Sequence, residues 1–244
     1  MKPKQYHIIH IEETASTNTC LMKLSKEKQL AEGTVIVTGN QTGGRGQRGN
    51  TWESQPNKNL TFSLLLYPKM LQAKNQFLLS QCVALAVKNT LLKYTTGIKI
   101  KWPNDIYREN NKICGILIEN SLNGLFVEQS VIGIGININQ DSFSGNTINK
   151  PTSLKLITGQ EFELDVILNQ ILGLIYFYYE KLNQEPELIA QEYKNGLFST
   201  GRFKDKHGEF QALIKDVKPD GMLILSDVNN TKREYYFKEV QFII

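Results

Sequence analysis

The spacing of apolar residues predicts a chain that mixes strands with helices. Short apolar and β-branched runs, typical of strands, occupy residues 6–11, 34–38, 60–66, 98–101, 106–107, 112–119 and 125–139. Apolar residues at helical spacing predict helices over residues 17–28, 73–94, 163–182 and 185–197. We therefore expect an α+β fold in which a mixed or antiparallel sheet is flanked by helices.

The pattern changes after residue 197. Short strands are predicted at 208–216, 221–227 and 231–238, with turn signals at 219–221 and 229–230. Such a series suits a small β-barrel. A segment this short is near the lower limit for independent folding, so we expect it to dock on the rest of the chain. The sequence thus predicts a main domain over 1–197 and a small β domain over 198–244.

A segment rich in glycine and arginine lies between the predicted strands 34–38 and 60–66. Residues 43–52 read Gly-Gly-Arg-Gly-Gln-Arg-Gly-Asn-Thr-Trp. Glycine lets a backbone approach a ligand closely, and arginine offers a fork of donors for carboxylate and phosphate oxygens. Because two arginines and a tryptophan disfavour a plain flexible loop, we interpret this Gly/Arg loop as a cradle for an acidic small molecule.

The same loop contains the spacing of a dinucleotide-binding motif. Gly44, Gly46 and Gly49 match G-x-G-x-x-G, a pattern that requires a preceding strand and a following helix. Here a strand is predicted to follow. No helix N-terminus would meet a pyrophosphate, so we reject a dinucleotide-binding fold.

Two further segments have two interpretations each. Ser16, Thr17 and Asn18 precede a predicted helix, where such residues usually act as caps, although free N–H groups at a helix start also bind polar ligands. Asn104 and Asp105 follow a strand, and Asp105 suits either Mg²⁺ or a ribose hydroxyl, or an Asx turn.

Lys112 and two glycines, on neighbouring predicted strands, also have a functional and a structural interpretation. The charge of Lys112 suits a phosphate or a carboxylate, but a lysine also protects an exposed sheet edge. Gly133 and Gly135 lie on one face of the strand 125–139. Glycine inside a strand often marks the close approach of a ligand or of another backbone.

Composition narrows the class of protein. The 244 residues fit one large domain with a small companion, and 41% hydrophobic residues are enough for a sizeable core. The net charge of +4 gives no electrostatic case for nucleic-acid binding. No signal peptide or membrane-spanning run is present, and the scattered Cys20, Cys82 and Cys114 indicate reduced, mostly buried thiols. We expect a cytoplasmic protein with no nucleic-acid or membrane partner.

Five segments, taken in order, resemble the motifs of biotin–protein ligases. They are Ser16-Thr17-Asn18, Gln41 with residues 44–52, Lys-Trp-Pro-Asn-Asp-Ile-Tyr at 101–107, Lys-Ile-Cys-Gly-Ile-Leu-Ile-Glu at 112–119, and Ile-Gly-Ile-Gly-Ile-Asn-Ile-Asn at 132–139. Five ordered motifs are far more specific than any one of them. The C-terminal segment also resembles that family's small β domain. The resemblance implies the class II synthetase-like biotin/lipoate ligase fold with an SH3-like C-terminal barrel.

The resemblance also implies a reaction in two steps. Biotin and MgATP give biotinyl-5′-AMP and pyrophosphate, and a lysine of a biotin carboxyl carrier protein then attacks the mixed anhydride. The first step brings two anions together, so positioning and positive charge should supply most of the catalysis. Biotin, ATP and Mg²⁺ are the implied ligands, the carrier domain of a carboxylase is the implied partner, and a homodimer is left open.

Roles follow from the resemblance residue by residue. The implied biotin-binding residues are Ser16, Thr17, Asn18, Gln41, Gly44, Arg45, Gly46, Gln47, Lys112 and Gly115. The implied ATP-binding residues are Arg45, Arg48, Trp52, Asn104, Asp105, Lys112 and Asn137, with Asp105 placing Mg²⁺ and Asn137 meeting the adenine. Lys112, Arg45 and Arg48 are the implied catalytic residues. Gly115, Gly133 and Gly135 would make room for the ligand, and Trp52 would close the loop over the adenylate.

Two features depart from the family pattern. Many members have arginine where this chain has Gln47, so we expect weaker retention of the reactive adenylate. Some relatives carry an N-terminal helix-turn-helix domain, and nothing ahead of Tyr6 could form one. We therefore expect a ligase that is not a repressor, with a glycine-rich loop that becomes ordered when ligand binds.

Two alternatives stay open at this point. A lipoate or octanoate ligase or transferase shares the implied fold, but its aliphatic substrate has no urea group for Ser16 and Gln41 to bind. A non-catalytic module that only holds biotin is the second alternative. Four retained residues argue against it: Arg45, Lys112, Asp105 and Asn137.

Overall fold

The computed structural model describes residues 6–143 and 150–243, with Arg48 through its backbone only, and its main element is a seven-stranded sheet. The strands are β1 (His7–Thr14), β2 (Thr34–Gln41), β3 (Leu60–Leu66), β4 (Ile98–Lys101), β5 (Asp105–Arg108), β6 (Asn111–Asn123) and β7 (Phe126–Ile136). Their order is β1-β2-β3-β7-β6-β5-β4. Only the β1–β2 pair is parallel, so the mixed sheet predicted from the sequence is confirmed.

Helices cover both faces of this sheet. They are α1 (Thr17–Glu27), α2 (Phe77–Leu91), α3 (Leu154–Thr158), α4 (Leu164–Lys181) and α5 (Pro186–Gly196). On one face, α1 inserts Leu21 against Ile36, Leu65 and Val131. On the other face, α2 packs between the sheet and α4 and α5, and 12 of its 15 residues are buried. Because α2 is enclosed on nearly all sides, it forms the centre of the main core.

Some element boundaries differ from the prediction. The helix predicted over 73–94 is a 3₁₀ turn at Ala73–Asn75 followed by α2. The short helix α3 was not predicted. Ser153 caps it by accepting a hydrogen bond from the Leu156 N–H at 3.1 Å, and Gly159 ends it at φ +74°. Five residues are too few to show helical periodicity, so these two caps were the available signal.

The C-terminal segment forms a separate five-stranded antiparallel sheet. Its strands are β8 (Thr200–Asp205), β9 (Gly208–Val217), β10 (Leu223–Asp227), β11 (Lys232–Tyr235) and β12 (Gln241–Ile243), in the order β11-β10-β9-β8-β12. The short strands β8 and β12 were not predicted. Within residues 150–243 no ladder joins β11 to β12, so the sheet is open where the sequence predicts a barrel. The division into domains 1–197 and 198–244 stays a prediction.

Aromatic contacts join the C-terminal sheet to the main one. The Trp102 indole N–H donates to the Gly221 carbonyl at 3.1 Å, in a buried position that follows β4. The Phe237 ring packs on Trp102 and on Phe77, with centroids 5.1 and 5.8 Å apart. This contact places the C-terminal sheet beside the end of β4, where polar residues of the predicted site begin.

A turn in the C-terminal sheet is held by one carboxylate. Asp227 accepts hydrogen bonds from the Thr231 and Asn229 N–H groups, at 2.9 and 3.0 Å, and pairs with Arg233 at 2.9 Å. The Thr231 N–H, followed by Arg233 and Asn229, keeps the pKa of Asp227 below its ordinary value. The charged form of Asp227 therefore stabilises the folded chain.

Cys82 and Cys114 are buried, Cys20 is half-buried, and all three are free thiols. Burial raises the pKa of the Cys82 and Cys114 thiols, which makes both unreactive. In the part of the chain that the structure describes, no helix has the length and apolar character to span a bilayer.

Candidate active site

A cavity of about 260 Å³ lies where α1, the Gly/Arg loop, the β6–β7 ladder and the C-terminal strand β12 meet. Most of the residues singled out in the sequence line it. They are Ser16, Thr17, Asn18, Gln41, Arg45, Gly46, Gln47, Trp52, Asn104, Asp105, Lys112, Gly115, Gly133 and Gly135. All five motifs thus contribute residues to the wall of one cavity.

The start of α1 forms one end of the cavity. Ser16 is the N-cap, and its hydroxyl accepts from the Thr19 N–H at 3.4 Å. The side-chain oxygen of Gln41 accepts from the Thr17 N–H at 2.9 Å. Of the two interpretations of this segment, capping is confirmed for Ser16, and ligand binding stays a prediction. The helix start fixes hydroxyl and amide groups that face the cavity.

Asn18 is locked in place above the sheet. Its side-chain oxygen accepts from the Ser63 hydroxyl at 2.6 Å, and its side-chain nitrogen donates to Glu119 at 2.7 Å and to the Leu117 carbonyl at 3.2 Å. The Ser63 hydroxyl also lies 2.7 Å from the Thr17 hydroxyl. Since the Asn18 oxygen can only accept, the single Ser63 proton belongs to this bond. The network fixes the orientation of the Asn18 amide.

The glycines of β6 and β7 accommodate protein side chains. A Cβ added at Gly133 would lie 2.9 Å from Asn18 Cγ, and one added at Gly135 would lie 2.9 Å from Trp52 Cζ2. A Cβ at Gly115 would also contact the Trp52 indole, at 3.1 Å. The sequence predicts that these glycines make room for a ligand. In this structure the indole of Trp52 and the amide of Asn18 fill that room instead.

The sequence predicts that Trp52 closes the loop over a bound adenylate, and that role stays a prediction. Its indole lies in the glycine-lined slot of the sheet, and its Nε1 is buried with no hydrogen-bond partner among the described residues. The Lys112 ammonium lies 5.6 Å from the ring centroid. A cation near an aromatic ring and a slot without Cβ atoms explain this position.

The Gly/Arg loop separates the cavity from a second, more open one of about 860 Å³. Within the loop Gly44 is buried under the Trp52 carbonyl, with a hydrogen bond from the Trp52 N–H at 2.9 Å, and a 3₁₀ turn spans Gln47–Gly49. No helix follows, and β3 is the next strand, as predicted. The predicted role of Arg48 concerns a side chain outside the described residues.

Arg45 contacts protein groups. Its guanidinium donates to the Thr19 hydroxyl at 3.1 Å and pairs with Glu119 at 3.3 Å. Glu119 thus bonds both Arg45 and Asn18, so it connects the loop to the start of α1. The Arg45 side chain is 47% exposed, so its ion pair is weak and open to exchange with a ligand anion.

Beside the glycine slot, β5 and β6 bring Lys112 and Asp105 together. The Lys112 ammonium and the Asp105 carboxylate are 2.7 Å apart and both mostly buried. Asn104 donates to the Ile116 carbonyl at 2.6 Å, which fixes the turn between β4 and β5. Lys112 is not an exposed edge residue, because β5 pairs with β6 there and Lys112 faces the cavity.

Two predicted site residues, Gly44 and Asn137, lie outside the wall of the smaller cavity, and Gly44 lines the more open cavity instead. Asn137 is 3% exposed, and its side chain donates to the Thr152 carbonyl at 3.0 Å. Its side-chain oxygen has no hydrogen-bond partner in the described part of the chain. The backbone of residue 152 covers this amide, and the predicted contact of Asn137 with adenine stays a prediction.

The donor set does not form a resident metal site. Within the described ranges no cluster of three or more His, Cys, Asp or Glu side chains is arranged to hold a metal ion. Among the described residues, Asp105 is the single carboxylate that lines the smaller cavity, and Lys112 neutralises it. One carboxylate suits Mg²⁺ only when phosphates supply other ligands. The fit therefore favours magnesium that enters with a nucleotide as substrate.

Several cavity and network residues were not identified from the sequence. Ser63 and Glu119 carry the hydrogen bonds of Asn18, and the cavity wall also includes Lys101 and Phe242. Glu119 ends a quoted motif and Lys101 begins one, so position within the motifs was an available signal. Ser63 and Phe242 had none, because only strand register and sheet docking bring them here.

Comparison with known proteins identifies the family of this chain. The chain belongs to the biotin/lipoate A/B protein ligase family, and the sequence model of that family matches residues 11–137. The bifunctional ligase/repressor BirA of Bacillus spizizenii is 30% identical over 238 residues, which cover 94% of this chain and 72% of that protein. A biotin–[acetyl-CoA-carboxylase] ligase of Paracoccus denitrificans is 35% identical over 130 residues, which cover 51% of this chain and 52% of that protein.

A solved structure extends the similarity to nearly the whole chain. The biotin protein ligase from Aquifex aeolicus in complex with biotin and ATP has a TM-score of 0.80 and 26% sequence identity, and the match covers 97% of this chain and 98% of that one. The resemblance to biotin–protein ligases and the predicted fold class are therefore confirmed.

Proposed function

We propose that this chain is a biotin–protein ligase that consumes ATP and forms AMP. One observation carries the proposal. A single cavity joins the hydrogen-bonding end at Thr17 and Gln41 to the cationic end at Lys112. A urea-containing acid and a nucleotide phosphate need these two kinds of surface side by side. The relatives and the Aquifex structure with biotin and ATP support this assignment.

In the proposed first step, a carboxylate oxygen of biotin attacks the α-phosphorus of ATP. The bond to the bridging oxygen breaks, and pyrophosphate leaves with the electron pair. Lys112 is placed to offset the negative charge where carboxylate and phosphate meet, in a mostly buried site where such a charge acts strongly. Asp105 orients Lys112 and, with Asn104, faces the nucleotide and its Mg²⁺.

Arg45 must change partner in this scheme. In the described arrangement it binds Glu119, and we propose that the biotin carboxylate or the adenylate phosphate replaces that carboxylate. The exchange swaps one exposed ion pair for a bidentate one, so it has little electrostatic cost. It would also draw the Gly/Arg loop over the ligand and move Trp52 with it.

In the proposed second step, the unprotonated amine of a carrier lysine attacks the carbonyl carbon of the mixed anhydride. The C–O bond to AMP breaks, an amide forms and one proton is released. The partner is therefore the carrier domain of a biotin-dependent carboxylase. The expected cytoplasmic location, the weakened adenylate retention at Gln47, and the homodimer left open by the sequence stay predictions.

The test is pyrophosphate release from MgATP with biotin, lipoate and octanoate as parallel substrates. We expect release with biotin alone, and loss of it in Lys112→Met. Lys99→Met is the matched control, because it removes an exposed lysine of β4. Release with lipoate or octanoate instead would keep the fold and change the substrate, and no release with any acid would leave a binding module.

A further inference from the structure

Lys101 differs from the other described basic residues of the smaller cavity. Arg45 pairs with Glu119 and Lys112 pairs with Asp105. Lys101 lines the same cavity, yet no carboxylate of the described residues lies within ion-pair distance of its ammonium. A half-buried cation without a counter-ion is costly to keep, so its position calls for an anion that arrives from outside.

Aromatic groups hold this ammonium away from water. The Lys101 Nζ lies 5.1 Å from the Tyr107 ring centroid and 5.7 Å from the Phe242 ring centroid, and it donates to the Tyr107 hydroxyl at 3.4 Å. Burial, together with the charge of Lys112, lowers the pKa of Lys101, while Asp105 opposes that shift. Phe242 belongs to β12, so the C-terminal sheet completes the surroundings of this lysine.

The position along the cavity indicates which part of a ligand Lys101 meets. Thr17 and Gln41 form one end, and Lys112 lies between the glycine slot and Asp105. In the sheet order, β4 with Lys101 follows β6 with Lys112 and β5 with Asp105, so Lys101 lies on the far side of them, against the C-terminal sheet. In phosphoryl transfer the attacking and leaving oxygens lie roughly in line on opposite sides of the phosphorus. An acid bound near Thr17 therefore directs the leaving group toward Lys101.

Resting on the proposed function, we infer that Lys101 is a phosphate-binding residue for the pyrophosphate portion of the nucleotide, and that Phe242 of the C-terminal strand keeps it desolvated. The lysine then neutralises the leaving group as the bond to the α-phosphorus breaks. This assigns the C-terminal sheet a part in the activation step, since without β12 Lys101 would be open to water on that side.

The experiment compares Lys101→Met with Lys99→Met in biotin-dependent ATP–pyrophosphate exchange. Both variants remove one lysine charge from β4, but Lys99 is exposed. We expect Lys101→Met to raise the KM for pyrophosphate roughly 10- to 100-fold, the range for loss of a hydrogen bond to a charged group. The KM for biotin and inhibition by AMP should stay near wild type.

Three results would overturn this assignment. Equal effects of the two variants would show a long-range charge effect, and equal weakening of AMP and pyrophosphate would place Lys101 elsewhere on the nucleotide. Loss of biotin binding in both Lys101→Met and Lys101→Gln would show a structural role. Calorimetry with inorganic pyrophosphate tests the anion site directly, and equal binding by the wild-type chain and Lys101→Met would count against it. Absence of exchange in the wild type would bear on the proposed function alone.

Discussion

Gly133→Ala tests whether the locked position of Asn18 is essential to the site. Register places Gly133 of β7 between Ser63 of β3 and Leu117 of β6, and Asn18 lies over all three. The added Cβ would be 2.9 Å from Asn18 Cγ, whereas ordinary contact begins at 3.4 Å. Asn18 must therefore move by about 0.5 Å or more, away from the sheet.

The magnitude follows from the bonds that this movement lengthens. The Ser63 and Leu117 partners both belong to the sheet, so neither can follow Asn18. Weakening two hydrogen bonds at about 0.5–1.5 kcal/mol each predicts a loss of about 1–3 kcal/mol in the free energy of unfolding. Because Ser63 also bonds Thr17, we expect biotin to bind roughly 10-fold more weakly, a change of about 1.4 kcal/mol.

Urea unfolding and biotin calorimetry measure the two effects separately. Gly173→Ala is the matched control, since its Cβ would meet nothing within 4 Å and α4 should gain about 0.5–1 kcal/mol. A double-mutant cycle with Asn18→Ala isolates the contact. If Gly133→Ala costs as much without the Asn18 side chain as with it, the steric explanation is wrong.

Three further predictions concern charge, movement and pH. Lys112→Met should reduce biotin-dependent pyrophosphate exchange by about 10²–10³-fold while circular dichroism stays native; exchange near the wild-type rate would remove Lys112 from the activation step. Biotin with ATP should change the fluorescence of Trp52, one of two tryptophans, and an equal change in Trp52→Phe would assign the signal to Trp102. The lowered pKa of Asp227 means that its stabilisation is present above the ordinary value of 3.8 and is lost as the pH falls through the lower folded-state value. The Asp227→Asn variant should therefore be less stable than the wild type at pH 7 and should lose less stability in acid. Thermal unfolding across this pH range measures both, and parallel curves of stability against pH for the two chains would contradict the prediction.

Local sequence determined most of the secondary structure. The long strands and helices were predicted from periodicity, because a half-buried element must repeat apolar residues at the spacing of its own secondary structure. At the hairpin after β6, the dipeptide Asn123-Gly124 is a strong turn signal, and Gly124 adopts the positive φ of +59° that favours glycine there. The elements missed were α3, β8 and β12. With five and three residues, α3 and β12 are too short to show a period, whereas β8 (Thr200–Asp205) has Phe203 as its single buried apolar side chain.

Local sequence also identified the chemistry of the site. A loop of glycines and arginines, a lysine on an apolar strand and a carboxylate after a strand each suggest an anion-binding role through residue type alone. Their convergence on one cavity agrees with the shared ligand-binding roles that the family resemblance implies for these motifs. The chain therefore specified its family and the identity of its main polar groups without any coordinates.

Only the tertiary structure decided which groups are neighbours. Glu119 bonds Arg45 and Asn18, Trp52 fills the glycine slot, and Phe242 covers Lys101. These contacts join residues far apart in sequence, and strand register and sheet docking determine them. Residue type tells which charge a side chain carries, but the fold decides whether that charge is paired, and this separates Lys112 from Lys101.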